Sequence, residues 1–243
     1  MSALALATVP SFAERVTRLL ERVDYRRADT AEEREAIFRL RYDAYLREGA
    51  ITPSINRRFT DRYDDLENAW IFGVYVDGRL ASSIRLTVSS LKCPDMPALQ
   101  VFSDLLMPEI EAGKTIIDPT RFVVDRLSSR TYPELPYVTV WLGWAALEYF
   151  HADISLATVR VEHQAFYRRV FGHRPISDAR VYPTLEKPIS LMALDYPTAR
   201  DRVHGRYPFF RTTFFTRRML FERVASVASR LMETGPNLRV ANS

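Results

Sequence analysis

Six charged residues define the chemistry open to this chain. Arg41, Asp61, Asp64, Arg85, Asp118 and Arg121 lie mostly on segments that otherwise read as buried. Buried charges are costly unless they are paired and hydrogen-bonded. These six must therefore meet one another or a ligand. A guanidinium can grip a carboxylate through two parallel hydrogen bonds, and a carboxylate can take a proton from a reacting group. The central stretch is Ile116–Asp125, Ile-Ile-Asp-Pro-Thr-Arg-Phe-Val-Val-Asp. Its two apolar doublets suit a strand buried on both faces. Asp118 and Arg121 should then pair with each other's neighbours or with a substrate. Pro119 cannot donate to a ladder and marks a bulge or a splayed edge.

Other chemistries lack their residues. The eight glycines are scattered singly, with no phosphate loop and no dinucleotide fingerprint. The four histidines show no metal spacing, and His163 reads as a core or capping residue, so no metal site is expected. Cys93 precedes Pro94 in a loop, with no base near it in sequence, and no Gly-x-Ser-x-Gly elbow appears.

The elements that must position the charges follow from pattern. Phe12–Val23 reads as a short amphipathic helix and Tyr25–Asp29 as a first strand. Thr30 with Glu33 forms a capping-box pattern that opens a helix to about Leu46, closed by Gly49. Residues 50–60 read as a polar loop. Ala69–Val76 and Arg79–Ser89 flank Asp77-Gly78, a strong hairpin signal. A short helix near Phe102–Ile110 precedes the central strand, and Ser128–Pro136 reads as a loop. Val138–Phe150 is an apolar helix, Ile154–Val161 a strand, Glu162–Phe171 a helix ended by Gly172, Pro188–Asp195 a last strand and Met219–Met232 a final helix. Interleaved helices and strands give an α/β (α+β) class with a central mixed, splayed sheet flanked by helices, and helical extensions at both ends.

Length and composition agree with this. The 243 residues suit one domain, with a core over about 25–195 and a C-terminal helical extension over about 205–243. A single cysteine fits a reducing, cytoplasmic setting. The start is a poor signal peptide, and no apolar run is long enough to span a membrane. A formal charge of +4 and a pI near 9.3 allow an acidic partner without naming one. No recognition-helix pattern or repeat of basic and aromatic residues points to nucleic acid.

Four fragments occur in order: Leu40-Arg41-x-x-x-Tyr45, Asp61-x-Tyr63-Asp64, Ile84-Arg85-Leu86 and Asp118-x-x-Arg121-Phe122. Together they resemble the acyl-homoserine-lactone synthases and, more closely, their relatives the N-acyl amino acid synthases. Both are similar in fold to the GNAT N-acyltransferases. Val159–Gly172 separately resembles the strand-then-helix end of a GNAT core, where a tyrosine at the position of Tyr167 often protonates the leaving thiolate. Two departures matter. The lactone synthases usually carry a tryptophan where this chain has Ile51, which argues for a free amino acid rather than S-adenosylmethionine as acceptor. Their glutamate is Asp118 here, one methylene shorter.

The resemblance implies an N-acyltransferase that moves a long-chain fatty acyl group from acyl carrier protein to the α-amine of an amino acid. No permanently bound cofactor is implied; the donor is the acyl-phosphopantetheine of the carrier. Enzymes of this fold that use coenzyme A carry a glycine-rich pyrophosphate cradle after the central strand, and Asp125–Pro136 has no glycine. Asp118 or Glu162, through water, would accept the amine proton, with Tyr167 as acid and backbone amides at the bulge as oxyanion donors. Arg41, Tyr45, Asp61, Asp64, Arg85, Arg121 and Phe122 form the substrate-binding set. Their arginines either hold the acceptor carboxylate or pair with the acids to pin the N-terminal helix over the site. Apolar residues of the hairpin and of Val138–Phe150 would line an acyl groove. Arg126, Arg130, Arg168 and Arg169 are candidates for docking the carrier. A coenzyme A-dependent acyltransferase, a lactone synthase and, more distantly, a non-catalytic binding module are the alternatives.

Overall fold

Local sequence signals set most element boundaries. The computed structural model describes residues 10–223. Helix α1 (Phe12–Leu20) leads into β1 (Val23–Arg27). Helix α2 (Ala31–Arg47) opens on the anticipated capping box, with Thr30 Oγ1 accepting the Glu33 amide and Glu33 accepting the Thr30 amide. A 3-10 turn at Arg62–Asp65 precedes the hairpin of β2 (Ala69–Val76) and β3 (Arg79–Ser89). Asp77 and Gly78 both have positive φ, as the tight hairpin turn requires. Then come α3 (Leu99–Glu111), β4 (Ile116–Val124), α4 (Arg126–Thr131), α5 (Leu135–Tyr149), β5 (Ile154–Val159), a 3-10 turn at Val161–His163, α6 (Gln164–Val170), β6 (Arg174–Pro175), β7 (Ser190–Asp195), α7 (Tyr196–Arg206) and α8 (Phe214–Phe221).

Several expectations need correction. Residues 128–136 are not all loop. Asp125 accepts the Leu127 and Ser128 amides and so caps α4, a helix with no buried residue to mark it in the pattern. Helix α7 was not anticipated, because only Tyr196, Ala199 and Val203 of its residues are buried. The last helix among the described residues spans Phe214–Phe221, Glu222 and Arg223 follow it outside the helix, and residues 224–232 of the expected Met219–Met232 helix lie outside the described residues.

The strands form one sheet in the order β1-β2-β3-β4-β5-β7-β6. Neighbours are antiparallel except β4 and β5, which run parallel through only two residue pairs, Ile116–Ile154 and Ile117–Ser155. Past Ile117 the two strands part. Pro119, which has no N–H to offer, stands two residues beyond the last pair. The bulge falls further along than Pro119. Ser83 pairs with Val123 and Arg85 with Thr120, so Ile84 is opposed by both Arg121 and Phe122. Arg121 takes a left-handed φ of 54° there, a conformation that a non-glycine residue holds only when its surroundings fix it.

Alternation along β4 sends Ile117 into a large core with α1, α5, α7 and α8, and Ile116 into a smaller one with α3. Ile37 and Phe38 of α2 pack on Ile71 in a third cluster. Asp118 shares the face of Ile116, and Arg85 reaches Thr120 Oγ1 at 3.0 Å on that same face.

Gly172 closes α6 with φ 89°, and an added Cβ would collide with the Arg202 guanidinium. That guanidinium donates to the Phe171 carbonyl at 2.5 Å. Gly172→Ala should therefore cost about 1 kcal/mol or more, read as a lower midpoint in urea denaturation.

Candidate active site

The buried charges meet at one point. Arg41 Nη1 donates to Asp64 Oδ1 at 2.8 Å, and Arg85 Nη1 donates to the same oxygen at 2.8 Å. Arg85 Nη1 also reaches Asp61 Oδ1 at 2.5 Å, and Arg121 Nη2 reaches Asp61 Oδ2 at 2.5 Å. Asp64 Oδ2 accepts from Thr60 Oγ1 and from the Asp61 amide. The network ties α2, the 3-10 turn, β3 and β4 together. Three guanidiniums face two carboxylates, which leaves one net positive charge. Burial alone would push Asp61 upward, but Arg85 and Arg121 outweigh it and hold that carboxyl well below the usual range. Asp64 is lowered in the same way by Arg41 and Arg85. Burial lowers Arg41 to about 10 despite Asp64.

The parting of β4 and β5 opens a cleft of about 610 Å³ beside this network. Its floor is β4 from Pro119 to Val124, with Thr158 and Val159 of β5 opposite. Tyr45 on α2 and Phe166 and Tyr167 on α6 close the sides. The Arg121 guanidinium lies over the rings of Phe59, at 4.2 Å, and Tyr45, at 5.5 Å. Among the described residues Arg121 Nη1 makes no hydrogen bond, because Asp61 takes Nε and Nη2. Burial raises the Tyr167 hydroxyl well above a free phenol, with the Tyr45 hydroxyl adding to it.

Asp118 has a different environment from the one its sequence suggested. Among the described residues it pairs with no arginine. Its Oδ2 accepts the Ala98 amide at 2.9 Å, and the Thr158 hydroxyl is 3.4 Å from Oδ1. Fully buried, its carboxyl is pushed up to about 6, against the pull of the Ala98 amide and the Arg85 charge. It lies behind Thr158, which lines the cleft.

The remaining candidates separate. Tyr45, Arg121, Phe122 and Tyr167 line the cleft, whereas Arg41, Arg85, Asp61 and Asp64 form the network behind it. Glu162 is exposed, pairs with Arg160 at 3.3 Å and is not part of the cleft lining. His163 is not a core residue: it stands at the N-cap position of α6 without a side-chain cap bond, exposed, with Nε2 2.8 Å from Arg160 Nη2. Arg126, Arg130, Arg168 and Arg169 are exposed on α4 and α6, and none forms an ion pair among the described residues. Sequence reasoning missed Thr158, Phe59 and the capping role of Asp125. Asp125 could have been found, since an acid three residues before Ser128 is an N-cap signature. No His/Cys/Asp/Glu group that could hold a metal occurs among the described residues.

A protein-family model described as N-acyl amino acid synthase FeeM matches residues 36–195. Among solved structures, the chain is similar to FeeM, an N-acyl amino acid synthase from uncultured soil microbes. The TM-score is 0.62 and the identity 20%, over 74% of this chain and 94% of that one. It is also similar to MesI, a CoA-dependent acyl-homoserine lactone synthase, at TM-score 0.52 and 19% identity over 77% and 95% of the two chains. The AHL synthase LasI gives TM-score 0.52 and 14% identity over 70% and 88%. These likenesses establish a GNAT-like acyltransferase fold. No curated protein matches the sequence.

Two outcomes follow from the electrostatics. Asp64→Ala removes the one carboxylate that Arg41 contacts among the described residues and should cost roughly 3–5 kcal/mol in urea denaturation. Asp118→Asn tests the raised carboxyl. A folded-state pKa of about 6, above the unfolded value of 3.8, gives stability that is complete below pH 3.8 and lost as pH rises through about 6. The variant should therefore gain on the wild type as pH rises from 3.8 to about 6, by up to ~3 kcal/mol at ~1.4 kcal/mol per pKa step, with no further change above that. A pH-independent difference would show that the Asp118 carboxyl titrates alike in the folded and unfolded chain.

Proposed function

The chain belongs to the FeeM family of N-acyl amino acid synthases and is an N-acyltransferase, and on that footing we propose that it transfers a long-chain fatty acyl group from an acyl carrier protein to the α-amine of an amino acid. The amine nitrogen attacks the thioester carbonyl carbon, the C–N bond forms, the C–S bond breaks and the carrier leaves as its thiol. Asp118 takes the amine proton through the Thr158 hydroxyl or water, since a base poised near 6 is matched to this task. Glu162, on the exposed side, is the alternative proton acceptor through water. Tyr167 keeps its proton until the thiolate departs and then supplies it. Backbone amides freed at the Arg121–Phe122 bulge stabilise the oxyanion. Arg121 offers Nη1 to the acceptor carboxylate, while Arg41 and Arg85 with Asp61 and Asp64 hold the strand and α2 in place.

The observation that carries the donor assignment is Asp125. In a coenzyme A-dependent enzyme of this fold, the amides after the central strand hold a pyrophosphate. Here the Asp125 carboxylate already accepts the Leu127 and Ser128 amides and the Ser128 hydroxyl, at 2.9 to 3.0 Å. A resident anion fills the place of the nucleotide diphosphate. An acyl carrier presents its chain on a phosphopantetheine arm and needs no such seat. MesI, described as CoA-dependent, shares the fold, so coenzyme A thioesters form the second arm of the test.

Acyl carrier protein should give the higher kcat/KM, and rising salt should weaken it mainly through KM, because exposed charges are screened within about 8–10 Å. Charge reversal at Arg126 and Arg130, with Arg168 and Arg169 as a second pair, should raise KM for the carrier and leave a short pantetheine thioester unaffected. Equal turnover of acyl-coenzyme A, with no salt effect on either donor, would overturn the assignment. Mass spectrometry of lipid extracts from an expressing host identifies the acceptor.

A further inference from the structure

Helix α8 is apolar on two sides. Leu220 and Phe221 are buried, and the Phe221 ring meets those of Phe72, Tyr149 and Phe150 at 5.5 to 5.6 Å. Phe214, Phe215 and Met219 are instead 66%, 72% and 69% exposed. Spacings of one, four and five residues place these three, together with Arg218, on the outer helix face. Elsewhere among the described residues the exposed large apolar side chains stand singly, at Ile55, Leu91, Leu127, Val161, Ile176 and Val181. Single exposed apolar residues are ordinary, whereas a cluster marks an interaction site.

The same region carries the basic excess of the molecule. Tyr196–Arg223 holds seven arginines against two acids, a surplus of five where the whole chain has +4. Arg200, Arg217 and Arg218 are paired with Asp201, Glu148 and Glu222. Arg206 and Arg211, exposed on the approach to α8, form no ion pair among the described residues. Arg211 stands three residues before Phe214, and the Arg218 guanidinium lies over the Phe214 ring at 5.9 Å. Cations beside an aromatic and Met face match a bilayer interface, where the acyl boundary takes the apolar groups and anionic headgroups take the cations. No helix among the described residues is long and apolar enough to cross a membrane, so the contact is with its surface. An acidic carrier protein fits the position less well. Helix α8 packs at the Tyr149 end of α5, thirteen residues or about 20 Å along that helix from Pro136, which lines the cleft. No residue of α8 lines the cleft itself.

We infer that the outer face of α8 seats this enzyme on an anionic phospholipid surface. Phe214, Phe215 and Met219 enter the boundary between headgroups and acyl chains, and Arg206 and Arg211 meet the lipid phosphates. Arg218 is neutralised by Glu222 and serves by covering the Phe214 ring. Neither contribution is large alone, so attachment needs both, as reversible membrane binding through two weak signals does. The inference goes beyond the acyl-transfer reading and does not depend on its donor or acceptor.

The test sediments the full chain with vesicles of phosphatidylcholine alone and of phosphatidylcholine and phosphatidylglycerol in equal parts. Wild type should pellet with the anionic vesicles and not with the neutral ones. Raising salt from about 0.05 to about 0.5 M should weaken binding about tenfold or more. Phe214→Ser with Phe215→Ser should weaken it about tenfold or more, and Arg206→Glu with Arg211→Glu should do the same. Thermal midpoints should stay near wild type, because all four side chains are exposed. Phe215→Trp reads insertion directly. Its added emission should be quenched by vesicles with brominated acyl chains, whereas the buried Trp70, Trp141 and Trp144 should not respond. Absent binding, equal binding to both vesicle types, binding untouched by the serine pair, or no added quenching would overturn the inference. So would a dimer that the serine pair dissolves, or capture of an acidic carrier protein through these residues, with no vesicle binding in either case.

Discussion

Everything in the site depends on a buried imbalance of charge. Three guanidiniums share two carboxylates behind the cleft, and their bonds join α2, β3 and β4 to the 3-10 turn. Isolated, any of these charges would be expelled to solvent. Assembled, they fix where α2 crosses the sheet, where the 3-10 turn sits and how β4 bends. The left-handed backbone at Arg121 is held because its side chain is tied to Asp61 and covered by Phe59. Such clusters commonly contribute less to stability than hydrophobic replacements would. Their worth here is geometric: they fix Arg121 at the bulge beside the cleft and leave its Nη1 without a hydrogen bond among the described residues.

Asp118 shows the opposite solution. It lies three residues before Arg121, ahead of the bulge, with no cation bonded to it among the described residues. A backbone amide and a hydroxyl are its partners, so its proton affinity is set by burial rather than by pairing. Two acids within one site are thereby pushed apart, Asp61 locked as an anion and Asp118 poised near neutrality. Divergence of this kind distinguishes a structural carboxylate from one able to exchange a proton.

The parts legible in the sequence were those with local causes. Thr30 and Glu33 cap α2, Asp77-Gly78 turns the hairpin, and the Ile-Ile and Val-Val doublets mark β4. The family likeness was legible too, and five of the residues that carried it, Arg41, Asp61, Asp64, Arg85 and Arg121, form the charge network. What the chain hid are relations between distant segments. That Asp118 answers the Ala98 amide rather than an arginine depends on how the connection before α3 folds back. Helix α4 has no apolar stripe, so only its cap announces it. Helix α7 buries three side chains among charged neighbours, too few to raise a periodic signal.

The parallel seam between β4 and β5 has a mechanical meaning. Two residue pairs are all that stitch β1–β4 to β5, β7 and β6 through the sheet itself. The join also includes the Asp153 and Ile154 amides on the Thr115 carbonyl and the Thr158 hydroxyl on Asp118, and Leu194 of β7 shares a core with α5. The molecule is thus two half-sheets sewn at one end, like a book held by its spine. Prying forces from a ligand wedged into the open edge act on that short stitch with the longest lever the fold provides.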